Sequence, residues 1–235
     1  MLKRQYPLVK VNLKKYSSDN FSDLGAFFIQ FLDDVCTYPV APTHARHIIK
    51  LVNEHFYDNI FIHRVIKHTL VQMGCPMTRD QPNISYYGSG NCGKFLRLES
   101  TDEPNVRGIV GMARGESPNS ASSQFYICLT NISKLNGLYT TFGRVVKGLE
   151  ILDSISEISP WETKESYKQV YGFPNSPKSP IPSGLKNQIP SIPIAMFPEL
   201  VYGDDRDAII DDYIRNHKSE ELRKHELLKN TFNKR

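Results

Sequence analysis

The chain has 235 residues, of which 40% are hydrophobic, enough for one large domain with additions or for two small ones. Its net charge is only +4 and no run of five basic residues occurs, so nucleic-acid binding is not expected as the main function. The start, Met1–Pro7, has no apolar segment typical of a secretory signal, and no apolar run approaches the roughly 18 residues of a membrane helix. A soluble cytoplasmic protein is expected, with the cytoskeleton, the cilium and the nucleus as further compartments.

The first part of the chain has the patterns of two strands and a helix. Val9–Leu13 alternates apolar and polar residues, which predicts a half-buried strand. Leu24–Leu32 predicts a second strand bent at Gly25, and the polar residues 14–23 predict a loop between the two. A helix is expected to begin around Pro42, because apolar residues then recur on one face at helical spacing. These residues are Ala45, Ile48, Ile49 and Val52.

The middle of the chain is rich in short strand patterns. Residues 60–73 predict a β-hairpin, and residues 74–107 are irregular, with glycines that supply turns. Three further strands and a short helix at Gly148–Ile155 are then predicted. The three strands are Gly108–Ala113, Gln124–Leu129 and Thr140–Val146. Many short strands with only two helices favour an all-β barrel or sandwich.

The composition changes after Ile158. Seven of the fifteen prolines lie in the stretch Pro174–Pro198, and this predicts a proline-rich insertion, residues 159–188, that cannot continue a helix or a strand ladder. Within the same stretch, Ile192–Phe197 can form a final edge strand.

The end of the chain is charge-rich. Acidic residues come early and basic residues late between Asp204 and Asn230, an order that complements a helix dipole and predicts a C-terminal helix. The expected organisation is one domain over residues 6–200, which includes the insertion, and a charged helical tail over residues 201–235.

The histidines and cysteines do not indicate a metal site. His44 and His47 lie three residues apart on the first predicted helix, but no third ligand is near in sequence, so exposed helix histidines are expected. His63 is expected to point into the core and to be hydrogen-bonded there. A disulfide or zinc site stays open, but free thiols are favoured, because no C-x-x-C pair occurs among the cysteines. The cysteines are Cys36, Cys75, Cys92 and Cys128. No metal and no cofactor are expected.

Two groups of motifs carry most of the functional information. The first is Phe61–Gln72, which places the guanidinium of Arg64 and the amide of Gln72 in one hairpin-sized unit. The second is Ser122–Ile127, followed further along by Phe142–Val145. In this order and spacing the motifs resemble the cyclophilin family of peptidyl-prolyl isomerases.

The resemblance extends from about Tyr6 to Leu200 and leaves Pro160–Gln188 unaccounted for. It rests on an ordered set of short motifs rather than on any one of them. The set is Ile62–Ile66, Gln72–Gly74, Gly111–Ala113, Ser117–Asn119, Ser123–Ile127, Leu135–Gly137 and Phe142-Gly143. The fold that it implies is an eight-stranded antiparallel barrel closed at its ends by two helices.

The resemblance also implies a reaction, the cis–trans isomerisation of X–Pro bonds in protein partners. Rotation of the bond breaks amide resonance over a barrier of roughly 18–20 kcal/mol, so an enzyme needs only to bind the twisted amide better than the planar forms. Arg64 lies where the family has its catalytic arginine, and its guanidinium would donate to the proline nitrogen, which regains a lone pair in the twisted state. Gln72 would orient Arg64 or hold the substrate backbone. Leu70, on the same strand face, would form a wall for the proline ring.

By the same resemblance, Ala113, Tyr126 and Leu135 complete the groove, with Tyr139 at its rim. The backbone near Arg114 would hold the carbonyl of the substrate.

The chain departs from the family pattern around this pocket. Lys134 stands at the usual tryptophan position and Tyr139 at the usual histidine position. Tyr126 replaces a phenylalanine, so its hydroxyl is expected to project toward an apolar slot. Each lost apolar contact costs about 1–3 kcal/mol of proline binding. Weak isomerase activity is therefore the first hypothesis.

The alternative is a catalytically inactive structural or adaptor subunit of a large assembly, of the ciliary radial spoke or spliceosome type. Such a subunit would reach its neighbours through the insertion and the charged tail, because extended and helical arms bury area cheaply in assemblies.

Overall fold

The structure is a computed structural model that describes residues 6–17, 20–32, 40–79, 84–158, 188–191 and 193–232, with the backbone alone for Ser85 and for residues 218–232. Nine strands form one antiparallel sheet. They are β1 (Leu8–Ser17), β2 (Asn20–Phe31), β3 (Ile60–Phe61), β4 (Arg64–Ile66), β5 (Leu70–Met73), β6 (Ile109–Met112), β7 (Phe125–Cys128), β8 (Thr141–Lys147) and β9 (Ile194–Val201). Their order is β3-β9-β1-β2-β8-β6-β7-β5-β4.

The two ends of this curled sheet are joined by the chain itself. β3 and β4, the first and last strands in the order, are separated only by Ile62 and His63. The backbone N–H of Ile62 donates to Ile194 on the β9 side at 2.9 Å, whereas the N–H of Val65 donates to Gln188 at 2.5 Å. The sheet has nine strands rather than the expected eight because the first strand of the 60–73 hairpin is divided in two at this crossing.

The prediction of a loop at residues 14–23 is wrong, because β1 and β2 continue as a paired ribbon through this region. Tyr16 and Phe21 face each other across the ribbon with ring centroids 5.2 Å apart, and such aromatic cross-strand pairs stabilise a hairpin whose other residues are polar. The predicted bend at the glycine is present. Leu24 is the extra residue of a β-bulge, and Gly25 has a φ of +104°, which favours glycine.

The last strand is present but does not lie at an edge. β9 pairs with β1 along most of its length and with β3 at Ala195 and Met196, so it lies inside the sheet. At Pro198, which is opposite Val11, β3 no longer covers β9. The strand therefore tolerates a proline where it has a neighbour on one side only.

Within the described residues three α-helices accompany the sheet: α1 (Pro42–Asn53), α2 (Leu149–Ser156) and α3 (Gly203–Phe232). The predicted apolar face of α1 is largely buried, but the expectation of exposed helix histidines is wrong. His44 and His47 are 0% and 5% exposed. A carboxylate makes this possible for His44, since Glu99 accepts from its Nδ1 at 2.5 Å and from the backbone N–H groups of Thr43 and His44 at the helix start.

Several predictions concern residues that lie partly or wholly outside the described part of the chain. Cys75, Cys92 and Cys128 are free thiols, as favoured, whereas Cys36 lies outside the described residues. Most of the predicted insertion, residues 159–187, also lies outside them. The C-terminal helix is present as α3, and the division into residues 6–200 and 201–235 stays a prediction.

The described residues contain no group of three His, Cys, Asp or Glu side chains that could hold a metal ion. In the same part of the chain, no helix is both long and apolar enough to cross a membrane.

Candidate active site

The β4–β5 hairpin positions the central pair of the candidate site. Arg64 and Gln72 are register partners, and Leu70 lies two residues before Gln72, on the same face of β5. The intervening Val65 and Val71 are buried in the main core. The alternation of side chains along a strand therefore places Arg64, Leu70 and Gln72 together on the opposite face of the sheet.

The guanidinium of Arg64 is half-buried and held by two side-chain amides. Its Nη1 donates to Oε1 of Gln72 at 3.0 Å, and its Nε donates to Oε1 of Gln188 at 2.6 Å. Burial lowers the pKa of Arg64 from its ordinary value of 12.5, but an arginine remains charged at neutral pH. The site thus contains a cation with a fixed orientation rather than a freely solvated side chain.

A chain of amides continues from this cation into a loop. Nε2 of Gln72 donates to Oε1 of Gln124 at 3.0 Å, and Nε2 of Gln124 donates to the carbonyls of Gly88 and Gly90 at 2.8 Å each. The orientation of Gln72 is therefore determined, with its oxygen toward Arg64 and its nitrogen toward Gln124.

An apolar patch of five residues lies beside Gln72. Its buried members belong to a hydrophobic cluster that is separate from the main core. The other members are partly exposed and pack against that cluster. The patch contains every residue that was predicted to line the groove except Arg114. The patch residues are Leu70, Ala113, Tyr126, Leu135 and Tyr139.

The expectation for the hydroxyl of Tyr126 is wrong. The hydroxyl donates to Oδ1 of the buried Asn105 at 2.7 Å, and burial raises the pKa of Tyr126 well above its ordinary value. Gly111 makes room for this arrangement, because a Cβ there would lie 2.3 Å from the Tyr126 ring. The ring packs edge-to-face against Tyr139, with centroids 5.9 Å apart. The patch therefore contains the aromatic ring of Tyr126, and its polar atom is satisfied in the interior.

Arg114 braces the neighbouring loop with its side chain. Its Nε donates to the carbonyl of Leu138 at 3.0 Å, and its Nη1 donates to the carbonyls of Gly115 and Glu116. The guanidinium lies over the ring of Tyr139, 4.6 Å from the centroid. This cation–π contact holds Tyr139 against the patch, while Lys134 is exposed.

A cavity of about 280 Å³ adjoins this arrangement. Its lining includes Gln72, Ala113, Arg114 and Gln124 of the arrangement, together with the 88–91 loop and Phe95. It is large enough for a side chain of a bound peptide, next to the face that carries Arg64.

Three residues of the arrangement were not predicted. Gln124 was part of a recognised motif but had no assigned role. It directly precedes β7, and the pairing of β7 with β5 brings its amide within hydrogen-bond distance of Gln72. Asn105 and Gln188 lie in irregular segments, where no periodicity indicates which side chains reach the site.

A family model described as "Cyclophilin type peptidyl-prolyl cis-trans isomerase/CLD" matches residues 22–171. The chain belongs to the cyclophilin family. A cyclophilin-type isomerase of Cryptosporidium parvum, crystallised in the presence of the dipeptide Ala-Pro, superimposes with a TM-score of 0.55 at 20% identity over 82% of this chain and 99% of that one. This similarity confirms the predicted cyclophilin fold.

The sequence relatives are named as peptidyl-prolyl cis-trans isomerases. A probable peptidyl-prolyl cis-trans isomerase of Brucella abortus is 39% identical over 127 residues, which are 52% of this chain and 65% of that protein. The chain thus spans slightly less than two thirds of that relative. A peptidyl-prolyl cis-trans isomerase of Arabidopsis thaliana is 32% identical over 150 residues, which are 63% of this chain and 85% of that protein.

Proposed function

We propose that this cyclophilin catalyses the cis–trans isomerisation of X–Pro bonds in proline-containing protein segments, with Arg64 as the catalytic residue. The uncatalysed rotation is slow, taking tens to hundreds of seconds, because it breaks amide resonance. At the twisted geometry the proline nitrogen becomes a hydrogen-bond acceptor. A donor that is already in place stabilises this state without reorganisation, and therefore lowers the barrier.

The observation that carries the proposal is the double anchoring of Arg64 beside an apolar patch. Gln72 and Gln188 engage Nη1 and Nε, and among the described residues no partner engages Nη2. We therefore assign Nη2 as the donor to a bound substrate. A fixed cation next to apolar side chains is what stabilisation of a twisted prolyl amide requires.

The substrate is expected to bind across the patch. Leu70, Ala113, Tyr126 and Leu135 would contact the proline ring, with Tyr139 at the rim, and the backbone near Arg114 would hold the preceding carbonyl. Gln72 would orient Arg64 and contact the substrate backbone. Because Lys134 supplies no aromatic ring, proline binding would be weaker by about 1–3 kcal/mol, which favours weak activity.

The alternative of an inactive assembly subunit gains no support from a specific observation. The relatives described above are named as isomerases, and the half-buried, doubly held Arg64 differs from an ordinary solvated surface arginine. Partners in a ciliary or spliceosomal assembly stay a prediction from the sequence.

A protease-coupled assay on an Ala-Pro tetrapeptide tests the proposal. Arg64→Ala is expected to lower kcat/KM about 100-fold, the usual effect of removing a preorganised donor. Arg64→Lys should recover only part of the loss, because an ammonium cannot be held by both amides in the same way. Arg46→Ala, which removes an exposed arginine of α1, is the matched control and should keep the wild-type rate.

The same assay can overturn the proposal. Circular dichroism of each variant excludes unfolding as the cause of a lost rate. A wild-type rate that is indistinguishable from buffer, or equal rates for wild type and Arg64→Ala, would remove the isomerase function and leave the adaptor alternative.

A further inference from the structure

A cysteine and a histidine meet beside the cavity. Cys92, in the loop that follows Gly88, has its Sγ 3.5 Å from Nε2 of His47 on the buried face of α1. The same sulfur is 3.1 Å from Oγ of Ser122, a residue that lines the cavity. The proposed isomerase mechanism uses neither Cys92 nor His47.

His47 is enclosed by the protein but incompletely satisfied. It is 5% exposed, and its Nδ1 makes no hydrogen bond among the described residues. Burial lowers the pKa of His47, and the charges of Lys94 and Lys50 and the ring of His44 lower it further, although the backbone of Ser122 opposes this. The imidazole is therefore neutral at neutral pH. In the tautomer that carries its proton on Nδ1, Nε2 can take the proton of the Cys92 thiol as the sulfur attacks, which is general-base assistance and not a standing ion pair.

The other two described cysteines have different surroundings. Cys75 and Cys128 are fully buried, and burial raises the pKa of both thiols, that of Cys128 to about 12. Cys92 alone of the three is partly exposed. It is also the one with an imidazole nitrogen within 3.5 Å of its sulfur. Cys92 is therefore the described cysteine that combines access with a base beside its sulfur.

We propose that Cys92 is a modification site, a thiol activated by His47 that reacts with hydroperoxides to give a sulfenic acid. The sulfur attacks one peroxide oxygen, and an S–O bond forms as the O–O bond breaks. The thiol proton passes through His47 to the departing oxygen, which leaves as water or as an alcohol. The sulfur is oxidised by two electrons and the peroxide is reduced by two.

The first experiment measures the alkylation rate of each cysteine in the full chain with iodoacetamide at pH 7, by peptide mass spectrometry. Cys92 is expected to react about tenfold faster than glutathione and faster still than Cys75 and Cys128, as activated thiols do. His47→Gln should lower the Cys92 rate about tenfold, because the proton acceptor is gone. His55→Asn, which changes an exposed histidine, is the matched control and should leave the rate unchanged.

The second experiment treats the protein with hydrogen peroxide and traps sulfenic acid with dimedone. The adduct should form at Cys92 in the wild type. In Cys92→Ser, the peptide that contains position 92 should carry no adduct. A Cys92 rate no higher than that of glutathione, or no dimedone adduct at Cys92, overturns the proposal. If His47→Gln does not fold, the wild-type comparison with glutathione still decides. Because the isomerase assay uses none of these variants, either proposal can fail alone.

Discussion

The guanidinium of Arg64 shows which residue-level features a sequence can predict. Arg64 and Gln72 belong to one hairpin, and the residues on both sides of a short turn must face each other, so their pairing was predictable. The second anchor, Gln188, is 124 residues further along the chain. No local pattern indicates such a contact, because the intervening fold brings the two residues together. The partner of the Tyr126 hydroxyl, Asn105, was unpredictable for the same reason.

Gln188 is expected to be a positioning residue for Arg64. Gln188→Ala removes the acceptor from Nε, so the guanidinium gains freedom and turnover should fall about tenfold, the cost of roughly one charged hydrogen bond. Peptide affinity, measured by NMR titration, should stay near the wild-type value. Gln188→Glu keeps an oxygen acceptor and should rescue turnover. An equal loss of affinity and turnover in Gln188→Ala would instead identify Gln188 as a substrate contact.

At the scale of elements, the sequence predicted those whose pattern is local. β6, β7, β8, α2 and the 60–73 hairpin lie where periodicity and turn residues placed them. Two predictions failed where the answer depends on a partner strand. The polar residues 14–23 pair because a ribbon buries an aromatic pair at its end, and β9 lies inside the sheet because β3 crosses over to cover it.

A buried arginine helps to hold the start of α3 against the domain. Arg206 is 8% exposed, and its Nε donates to the carbonyl of Tyr6 at 2.7 Å, while its Nη1 contacts Asp207 at 2.6 Å. Arg206→Ala leaves that carbonyl without its charged donor, which costs about 1–3 kcal/mol of docking free energy. Hydrogen exchange of the backbone amides at 207–217 should therefore become faster.

The matched control for this prediction is Arg215→Ala, because the Arg215 side chain is 75% exposed. Its exchange pattern should stay as in the wild type, and the midpoint of thermal unfolding of the sheet should change little in either variant. Unchanged exchange in Arg206→Ala would mean that α3 is held by its other contacts.

At the scale of the whole molecule, the main consequence of the fold is the burial of three histidines. His44, His47 and His63 are at most 5% exposed, and burial lowers the pKa of each. His63 points into the core as predicted. Among the described residues its ring nitrogens make no hydrogen bond of good geometry, and the side chain of Gln124 is the polar group that interacts with the ring. The pKa of His63 is lowered to about 3 by burial and by the charge of Arg64, and the amide of Gln124 offsets this only in part.

The protein should therefore lose stability as the pH falls below 6.5. The unfolded chain binds a proton at His63 near pH 6.5, whereas the folded chain binds it only near pH 3. Between these values the free energy of unfolding should decrease by about 1.4 kcal/mol per pH unit for this residue alone. Urea unfolding at a series of pH values measures the slope.

His63→Leu removes the titrating ring from an apolar interior, so its stability should decline less steeply below pH 6.5 than that of the wild type. The control, His55→Asn, changes an exposed histidine and should keep the wild-type slope. His44 and His47 add to the slope in all three proteins, because their folded pKa values are also lowered, so the difference between wild type and His63→Leu isolates His63. Parallel curves for these two proteins would show that the pKa of His63 is the same in the folded and the unfolded chain, and that a polar partner stabilises its charged form inside the sheet.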